Sequence, residues 1–246
     1  MDDKKSYFKL YDDRYIRLRK SGVEDWVYDP QGLSNTFDFV DEFLRYGSSE
    51  PSKTKIIELG CGQGHLAEHL LKKGYKYLGI DISETAIQQA LKKTGNLGKS
   101  SFLLADITDL SQITDRSFDL AIDNQCFHML VVDKHREKYL SELKRILKPE
   151  GKVLFCENFQ VDEFTKKIKN LEQFNRLFDE DEKGLTAYKA HFDGKIKIID
   201  LPRLPARANN EAGYRKELTR AGFRIDYLKR APALCIISAS KKTNGK

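Results

Sequence analysis

The sequence has no apolar run that approaches the roughly 20 residues needed to span a membrane. It begins Met-Asp-Asp-Lys-Lys, which is unlike the apolar segment of a secretory signal peptide. We therefore expect a cytoplasmic protein that makes no membrane contact.

Cysteine is scarce and widely spaced. The four cysteines include no Cys-x-x-Cys pair: Cys61, Cys126, Cys156 and Cys235. This spacing argues against a disulfide framework and against a zinc ribbon. His65 and His69 stand four residues apart, as metal ligands on a helix often do, but no further ligand is evident. We expect reduced cysteines and no metal centre.

Internal repeats, low-complexity tracts and dense arginine runs are also absent. The formal net charge is +6, and residues 161–246 carry 19 basic against 12 acidic side chains. Such a region can attract an anionic substrate or nucleic acid, or can form a solvated lysine-rich surface. Because there is no arginine-rich motif, we expect these residues to form a solvated lysine-rich surface, and we expect no nucleic-acid partner.

The chain does contain a strand, a glycine-rich turn and a helix in succession. At 246 residues it suits one α/β domain with additions. Apolar residues at 56–59 predict a buried strand, and glycine then occupies every second position: Gly60, Gly62 and Gly64. Glycine lets a ligand approach the backbone closely because no Cβ holds it off, although a turn without a ligand is the alternative.

The glycine spacing indicates which ligand to expect. A dinucleotide-binding G-x-G-x-x-G would need glycine where His65 stands. The run Glu58-x-Gly60-x-Gly62-x-Gly64 instead resembles the first motif of class I S-adenosyl-L-methionine (SAM)-dependent methyltransferases. The resemblance covers residues 50–160 well and residues 208–240 moderately. It implies a Rossmann-like α/β fold, with a seven-stranded sheet in the order 3-2-1-4-5-7-6, the last strand antiparallel, between layers of helices.

Acidic residues end the next two predicted strands, at residues 77–82 and 101–105. A carboxylate placed like Asp81 can accept two ribose hydroxyls, although Asp81 could also cap the following helix. We expect Asp81→Ala to abolish cofactor binding and to leave the fold intact. Asp106 and Ile107 follow the third strand. In the family resembled, an acid there accepts the adenine amino group and the apolar residue flanks the ring.

The resemblance also implies the other cofactor contacts, with SAM as cofactor and S-adenosylhomocysteine (SAH) as product. Glu58 would bind the ammonium group of the methionine moiety, and Asn124 would lie near that moiety. The remaining cofactor-side residues would be Gly60, Cys61, Gly62, Gly64 and Ile82.

The fourth predicted strand, residues 118–123, leads into a segment where this family places substrate and catalytic groups. That segment lacks the [D/N]-P-P-[Y/F] of amino-methylating DNA enzymes and the Pro-Cys of RNA cytosine C5 enzymes, so Cys126 is a poor nucleophile candidate. His128 is the histidine placed to act as a general base, provided it reaches the reacting group. The alternative is a histidine that packs within the loop.

We divide the chain into four segments: 1–50, an N-terminal arm and helix; 51–160, the SAM-binding core; 161–207, an insertion shaping the substrate pocket; and 208–246, a helix and closing strand pair. In the first, Asp29–Gly32 predicts a turn before a helix from Ser34 to Gly47. The arm either packs on the domain or closes as a lid. Its aromatic residues Tyr11, Tyr15 and Trp26, with His128, are the substrate-side candidates. The insertion predicts an amphipathic helix over 164–178 and a strand over 195–201.

Together these features favour methyl transfer from SAM to a nitrogen, oxygen or sulfur nucleophile of a small molecule by in-line displacement. Three alternatives stay open. An RNA or protein methyltransferase would share every cofactor motif, and a SAM-binding module without activity would too. A nicotinamide oxidoreductase is disfavoured by the glycine spacing. The sequence names neither the acceptor nor the oligomeric state.

Overall fold

The computed structural model describes residues 4–23, 26, 30–47, 50–99, 101–159, 185–192, 195–231 and 234–242. The helices in these ranges are α1 (Lys4–Lys20), α2 (Pro30–Gly47), α3 (His65–Lys72), α4 (Glu84–Thr94), α5 (Asp133–Ile146) and α6 (Glu211–Arg220). The strands are β1 (Lys55–Leu59), β2 (Lys76–Asp81), β3 (Phe102–Leu104), β4 (Phe118–Asn124), β5 (Leu147–Asn158), β6 (Leu185–Phe192), β7 (Lys195–Pro202), β8 (Phe223–Arg230) and β9 (Leu234–Lys241). Within this part of the chain, no helix has the length and apolarity to cross a membrane.

Seven strands form one sheet in the order β3-β2-β1-β4-β5-β9-β8. The first five pair in parallel, and β9 is antiparallel to both β5 and β8. Since β8 and β9 are the sixth and seventh strands of this sheet, the predicted order 3-2-1-4-5-7-6 is confirmed. From β1 the chain adds β2 and β3 on one side, and then crosses to add β4 on the other side of β1. This change of direction between β1 and β4 places a crevice at the carboxyl ends of these two strands.

Alternate residues of each central strand supply two core layers, because successive side chains point to opposite faces of a sheet. On one face, Ile57, Leu59 and Phe155 pack with residues of α5. On the other face, Ile56 and Leu154 pack with residues of α2 and α3. The sheet is therefore covered on both sides, as a mostly parallel sheet requires.

The N-terminal region differs from the prediction at one boundary. Helix α2 begins at Pro30, so the expected turn over residues 29–32 and the expected start at Ser34 are wrong for the residues from Pro30 onward. Proline is well suited to the first turn of a helix because the N–H that it lacks would have no intrahelical partner there. Helix α1 buries Phe8, Tyr11, Tyr15 and Leu18.

A separate two-stranded sheet, β6 and β7, lies against α1. Ile199 and Leu201 of β7 are buried with Leu18 and Val23. The strand over 195–201 is confirmed, whereas β6 was not predicted because small and charged residues interrupt its apolar pattern. The predicted helix over 164–178 lies outside the described residues, and the four-segment division remains a prediction.

Candidate active site

The glycine turn after β1 is fastened to the neighbouring strand. The N–H groups of Gly60 and Cys61 both donate to the carbonyl oxygen of Ile80, at 2.8 and 2.9 Å. Gly60 has φ +75° and Gly62 has φ +51°, a left-handed conformation that side chains with a Cβ rarely adopt. The turn therefore needs glycine for its backbone path as well as for space.

A cavity of about 200 Å³ lies at the carboxyl ends of β1, β2 and β4, beside this turn. It brings together twelve of the fourteen candidate residues that the sequence suggested: Tyr11, Tyr15, Trp26, Glu58, Gly60, Cys61, Gly62, Asp81, Ile82, Asp106, Ile107 and Asn124. The other two, Gly64 and His128, are not part of its lining. A Cβ on Gly64 would stand 2.9 Å from the Cβ of Ala90, so this glycine permits the close packing of α3 on α4.

Asp81 holds the glycine turn in shape from the end of β2. Its carboxylate accepts the N–H of Gly62 at 2.8 Å and the N–H of Ser83 at 2.9 Å. Burial raises the pKa of Asp81 to about 6, against the lowering effect of these hydrogen bonds. Each carboxylate oxygen has a second lone pair, so Asp81 can still accept hydroxyl groups from a ligand.

Glu58 is the most enclosed acid of the cavity, with 2% of its surface exposed. The Tyr77 hydroxyl donates to one of its oxygens. Burial raises the pKa of Glu58 to about 8, because the charged form loses its hydration. The group is therefore poised to give up a proton when a cation enters the cavity.

Two further polar groups stand at the ends of β3 and β4. Asp106 accepts the N–H of Thr108 at 2.8 Å and lies next to Ile107 in the lining. The Oδ1 atom of Asn124 is buried and has no hydrogen-bond partner among the described residues. A buried acceptor without a hydrogen bond costs free energy of folding, and a donor group of a ligand in the cavity would supply that hydrogen bond.

Helix α1 forms the roof of the cavity. The Tyr11 hydroxyl donates to the carbonyl oxygen of Met129 at 2.8 Å, and Asp12 accepts the Ser83 hydroxyl at 2.6 Å. The backbone N–H of Trp26 donates to Gln63 at 2.8 Å. These contacts tie the N-terminal region to the glycine turn, to α4 and to the loop after β4.

His128 belongs to the loop after β4, but its side chain does not line the cavity, and only 3% of the residue's surface is exposed. Its Nδ1 is 2.7 Å from Oε2 of Glu157, and its Nε2 is 2.9 Å from the amide nitrogen of Asn158. Both ring nitrogens are thus engaged, and burial lowers the pKa of His128 to about 4. This arrangement favours the packing alternative over the general base, and Glu157 also accepts the N–H of Phe127 and so shapes the loop.

His128 should make the protein less stable in mild acid. In the unfolded chain a histidine has a pKa of about 6.5, so only the unfolded state gains the proton as pH falls toward 5. We expect the difference in free energy of unfolding between the wild type and His128→Gln to shrink by about 2 kcal/mol from pH 8 to pH 5. Urea titrations at the two pH values measure it, with His69→Gln, which replaces a half-buried histidine beside Asp41, as the control. An unchanged difference would contradict the buried neutral state.

The structure adds residues that the sequence did not single out. Gln63, Gln125, Met129 and Leu130 also line the cavity. Gln125 has φ +63°, and only its position directly after β4 could have drawn attention to it.

Cys126 lines the cavity too, but burial raises the pKa of its thiol well above the ordinary value, which agrees with its dismissal as a nucleophile. His69 bonds to Asp41 at 2.8 Å, and the described residues contain no group of three metal-ligating side chains.

A family profile described as a methyltransferase domain matches residues 57–155. An uncharacterised methyltransferase of Schizosaccharomyces pombe is 34% identical over 99 residues, covering 40% of this chain and 67% of that protein. The eEF1A lysine and N-terminal methyltransferase of Bos taurus is 33% identical over 104 residues, covering 42% of this chain and 15% of that protein.

Among solved structures, the Burkholderia thailandensis 1,6-didemethyltoxoflavin-N1-methyltransferase, with bound 1,6-didemethyltoxoflavin and S-adenosylhomocysteine, aligns with a TM-score of 0.65. It is 16% identical, and the alignment covers 96% of this chain and 88% of that one. This likeness concerns the fold.

The chain spans between 53% and 67% of the length of the first curated relatives that it matches. The matched region holds the glycine turn, Asp81, Asp106 and the loop after β4, which build the part of the cavity that the sheet contributes. Family profile, sequence relatives and sheet order agree with one another, and the chain belongs to the class I SAM-dependent methyltransferase family.

Proposed function

We propose that the protein transfers the methyl group of SAM to a nitrogen, oxygen or sulfur nucleophile of a small molecule. The observation that carries this proposal is that two sets of residues line the same cavity. Cofactor-side acids line it from the sheet, and aromatic side chains of α1 and its following segment line it from above. A cofactor and a small acceptor would meet between them.

The residues present fit the cofactor. A Cβ on Gly60 would meet Cys126 and a Cβ on Gly62 would meet Tyr15, so glycine at both positions would leave room along the turn for the methionine moiety. Glu58 and the unpartnered Oδ1 of Asn124 would accept from its ammonium group. Asp81 would accept the ribose hydroxyls, and Asp106 with Ile107 would hold the adenine. When bound, SAM supplies a methyl group already activated by the sulfonium.

The chain's own contribution to the reaction would be positioning and exclusion of water. Correct placement of two reactants can supply about 7–11 kcal/mol of the barrier. Tyr15 is 6% exposed, and its ring lies 4.5 Å from that of Trp26, so the roof shields the cavity from solvent. We infer a lid role for the N-terminal region, in addition to its packing on the domain. A nucleophile that arrives deprotonated would need no general base, which is consistent with the buried position of His128.

A macromolecular methyltransferase is the second candidate, favoured by the relative that is named for eEF1A and by the basic residues after position 160.

Titration calorimetry with SAM, SAH and NADH tests the cofactor class first. Micromolar binding of SAM and SAH without NADH binding supports the proposal, and absence of SAM and SAH binding contradicts it. A screen that detects SAH release from small molecules, RNA and protein then separates the two candidates.

Glu58 predicts a pH dependence of SAM binding. Near pH 6 the acid is protonated in the free protein, because its pKa is about 8. Binding an ammonium group requires the carboxylate, so a proton is released and affinity should rise up to tenfold per pH unit between pH 6 and about 7.5. Above about pH 8 the amine of SAM itself loses its proton, and affinity should fall. Calorimetry across this range, in buffers of different ionisation enthalpy, measures both limbs.

Two variants locate the effect. Glu58→Gln should remove the rise in affinity between pH 7 and 7.5 together with the proton release, and below pH 7 should leave only the smaller rise that Asp81 contributes, since its pKa is about 6. Glu68→Gln should change neither, since Glu68 pairs with Lys72 on the surface of α3. A Glu58→Gln variant that keeps the wild-type rise would place the titrating group elsewhere.

A further inference from the structure

Arg14 is a half-buried cation on α1 that has no acidic partner among the residues the structure describes. None of the hydrogen bonds or ion pairs within the described part of the chain involves its guanidinium, and its Nε is buried with no acceptor. Arg17, on the next turn of α1, instead pairs with Asp13 at 2.8 Å. A buried arginine normally has a carboxylate or phosphate to compensate its charge, and the described surroundings of Arg14 supply neither.

The guanidinium stands next to the aromatic wall of the cavity. Its Cζ lies 4.8 Å from the ring centroid of Trp26 and 5.4 Å from that of Tyr188 on β6. Trp26 lines the cavity and stacks against Tyr15, which lines it as well. Aromatic faces attract a cation but do not neutralise it, and burial lowers the pKa of Arg14. Arg14 is not itself part of the cavity lining, so a cavity ligand would reach it through a substituent that extends past Trp26.

We propose that Arg14 binds a carboxylate group of the methyl acceptor, and that this acceptor is a small aromatic carboxylic acid. The proposal rests on the proposed methyl transfer and names the substrate class of the same cavity. Tyr11, Tyr15 and Trp26 provide flat surfaces on which an aromatic ring stacks. The guanidinium then supplies the paired N–H donors that match a carboxylate.

The charge of the cavity favours a carboxylate over a phosphate. Glu58, Asp81 and Asp106 already line it, and Arg14 is a cation beside the aromatic wall. A doubly charged phosphate would be repelled more strongly by these acids than a singly charged carboxylate. One guanidinium is enough to balance one carboxylate.

The first test compares benzoate, benzamide, acetate and inorganic phosphate as ligands of the SAH-loaded protein, by titration calorimetry. We expect benzoate to bind about 10- to 100-fold more tightly than benzamide, because benzamide lacks the charge. Benzoate should also bind more tightly than acetate, which lacks the ring, and than phosphate. Equal binding of benzoate and benzamide would overturn the proposal, and tighter binding of phosphate would overturn the choice of a carboxylate.

The second test uses Arg14→Met, which keeps a long apolar side chain against Trp26 and removes the charge. We expect the preference for benzoate over benzamide to disappear, while SAH affinity stays within about twofold of the wild type. The control Arg17→Gln, on the same helix, should keep the preference. If Arg14 served only to stack on the aromatic rings, Arg14→Met would lower the melting temperature and leave the preference unchanged.

Failure of this inference can be told apart from failure of the proposed function. If the wild type does not bind SAH, the methyltransferase proposal itself fails. If it binds SAH but does not distinguish benzoate from benzamide, only the assignment to Arg14 and to aromatic acids fails.

Discussion

Replacing Gly60 by alanine should abolish SAM binding. An added Cβ would lie 2.5 Å from Sγ and 2.6 Å from Cβ of Cys126, where no real contact is that short. The backbone at Gly60 also has φ +75°, which costs about 1–2 kcal/mol for a residue with a Cβ. The loop after β4 would be pushed out of place together with the turn, and we expect SAM affinity to fall by more than 100-fold in calorimetry.

Gly74→Ala is the matched control for backbone strain alone. Gly74 has φ +83°, and a Cβ there would meet nothing within 4 Å. This variant should lose about 1 kcal/mol of stability and keep its SAM affinity. Gly60→Ala combined with Cys126→Gly removes the two clashing atoms and should regain part of the binding. Normal SAM binding by Gly60→Ala would show that the turn does not border the ligand.

The second large effect is expected at Asp81. Asp81→Asn should weaken SAH and 5′-methylthioadenosine alike, by about 100-fold, because both ligands carry the ribose that the carboxylate would hold. Glu58→Gln should weaken only SAH, since 5′-methylthioadenosine lacks the amino-acid part. Calorimetric titration of both variants with both ligands measures this crossed pattern. An Asp81→Asn protein that binds 5′-methylthioadenosine like the wild type would contradict the ribose assignment.

The structure also changes what Asp81→Ala can be expected to show. Asp81 accepts the N–H groups of Gly62 and Ser83, so alanine would leave one partly buried and one buried donor without acceptors. Each such loss costs about 1–3 kcal/mol. The expectation that Asp81→Ala leaves the fold intact is therefore replaced, and asparagine, which keeps one acceptor, is the better probe.

The neighbourhood of the cofactor site could be predicted from sequence because its elements are local. The turn at Gly60 to Gly64 and the acids at 81 and 106 each stand at the end of an apolar strand, and parallel strands bring their carboxyl ends to one edge. A short-range pattern thus fixed a long-range arrangement. The sequence could not tell that Gly64 faces Ala90 on α4 and not the cavity, because that depends on how two helices pack.

The fate of side chains in loops could not be predicted in the same way. His128 and Cys126 are two residues apart, yet Cys126 lines the cavity and His128 is held behind it by Glu157 and Asn158. These partners lie about thirty positions further along, on β5. Nothing in the local pattern distinguishes a histidine aimed at a substrate from one bonded to a neighbouring strand.

By itself, the sequence indicated the strands, the family resemblance and the edge of the sheet where a ligand would bind, and the strand order followed from that resemblance. Apolar runs and glycine spacing are properties of short segments, so they can be recognised without knowledge of the tertiary structure. Only the tertiary structure decided what covers that edge, because α1 and Trp26 reach it through contacts such as Tyr11 to Met129 and Trp26 to Gln63. The same packing placed Arg14 beside Trp26 and Tyr188, with no described acid to pair with, which is visible only once residues distant in the chain are in contact.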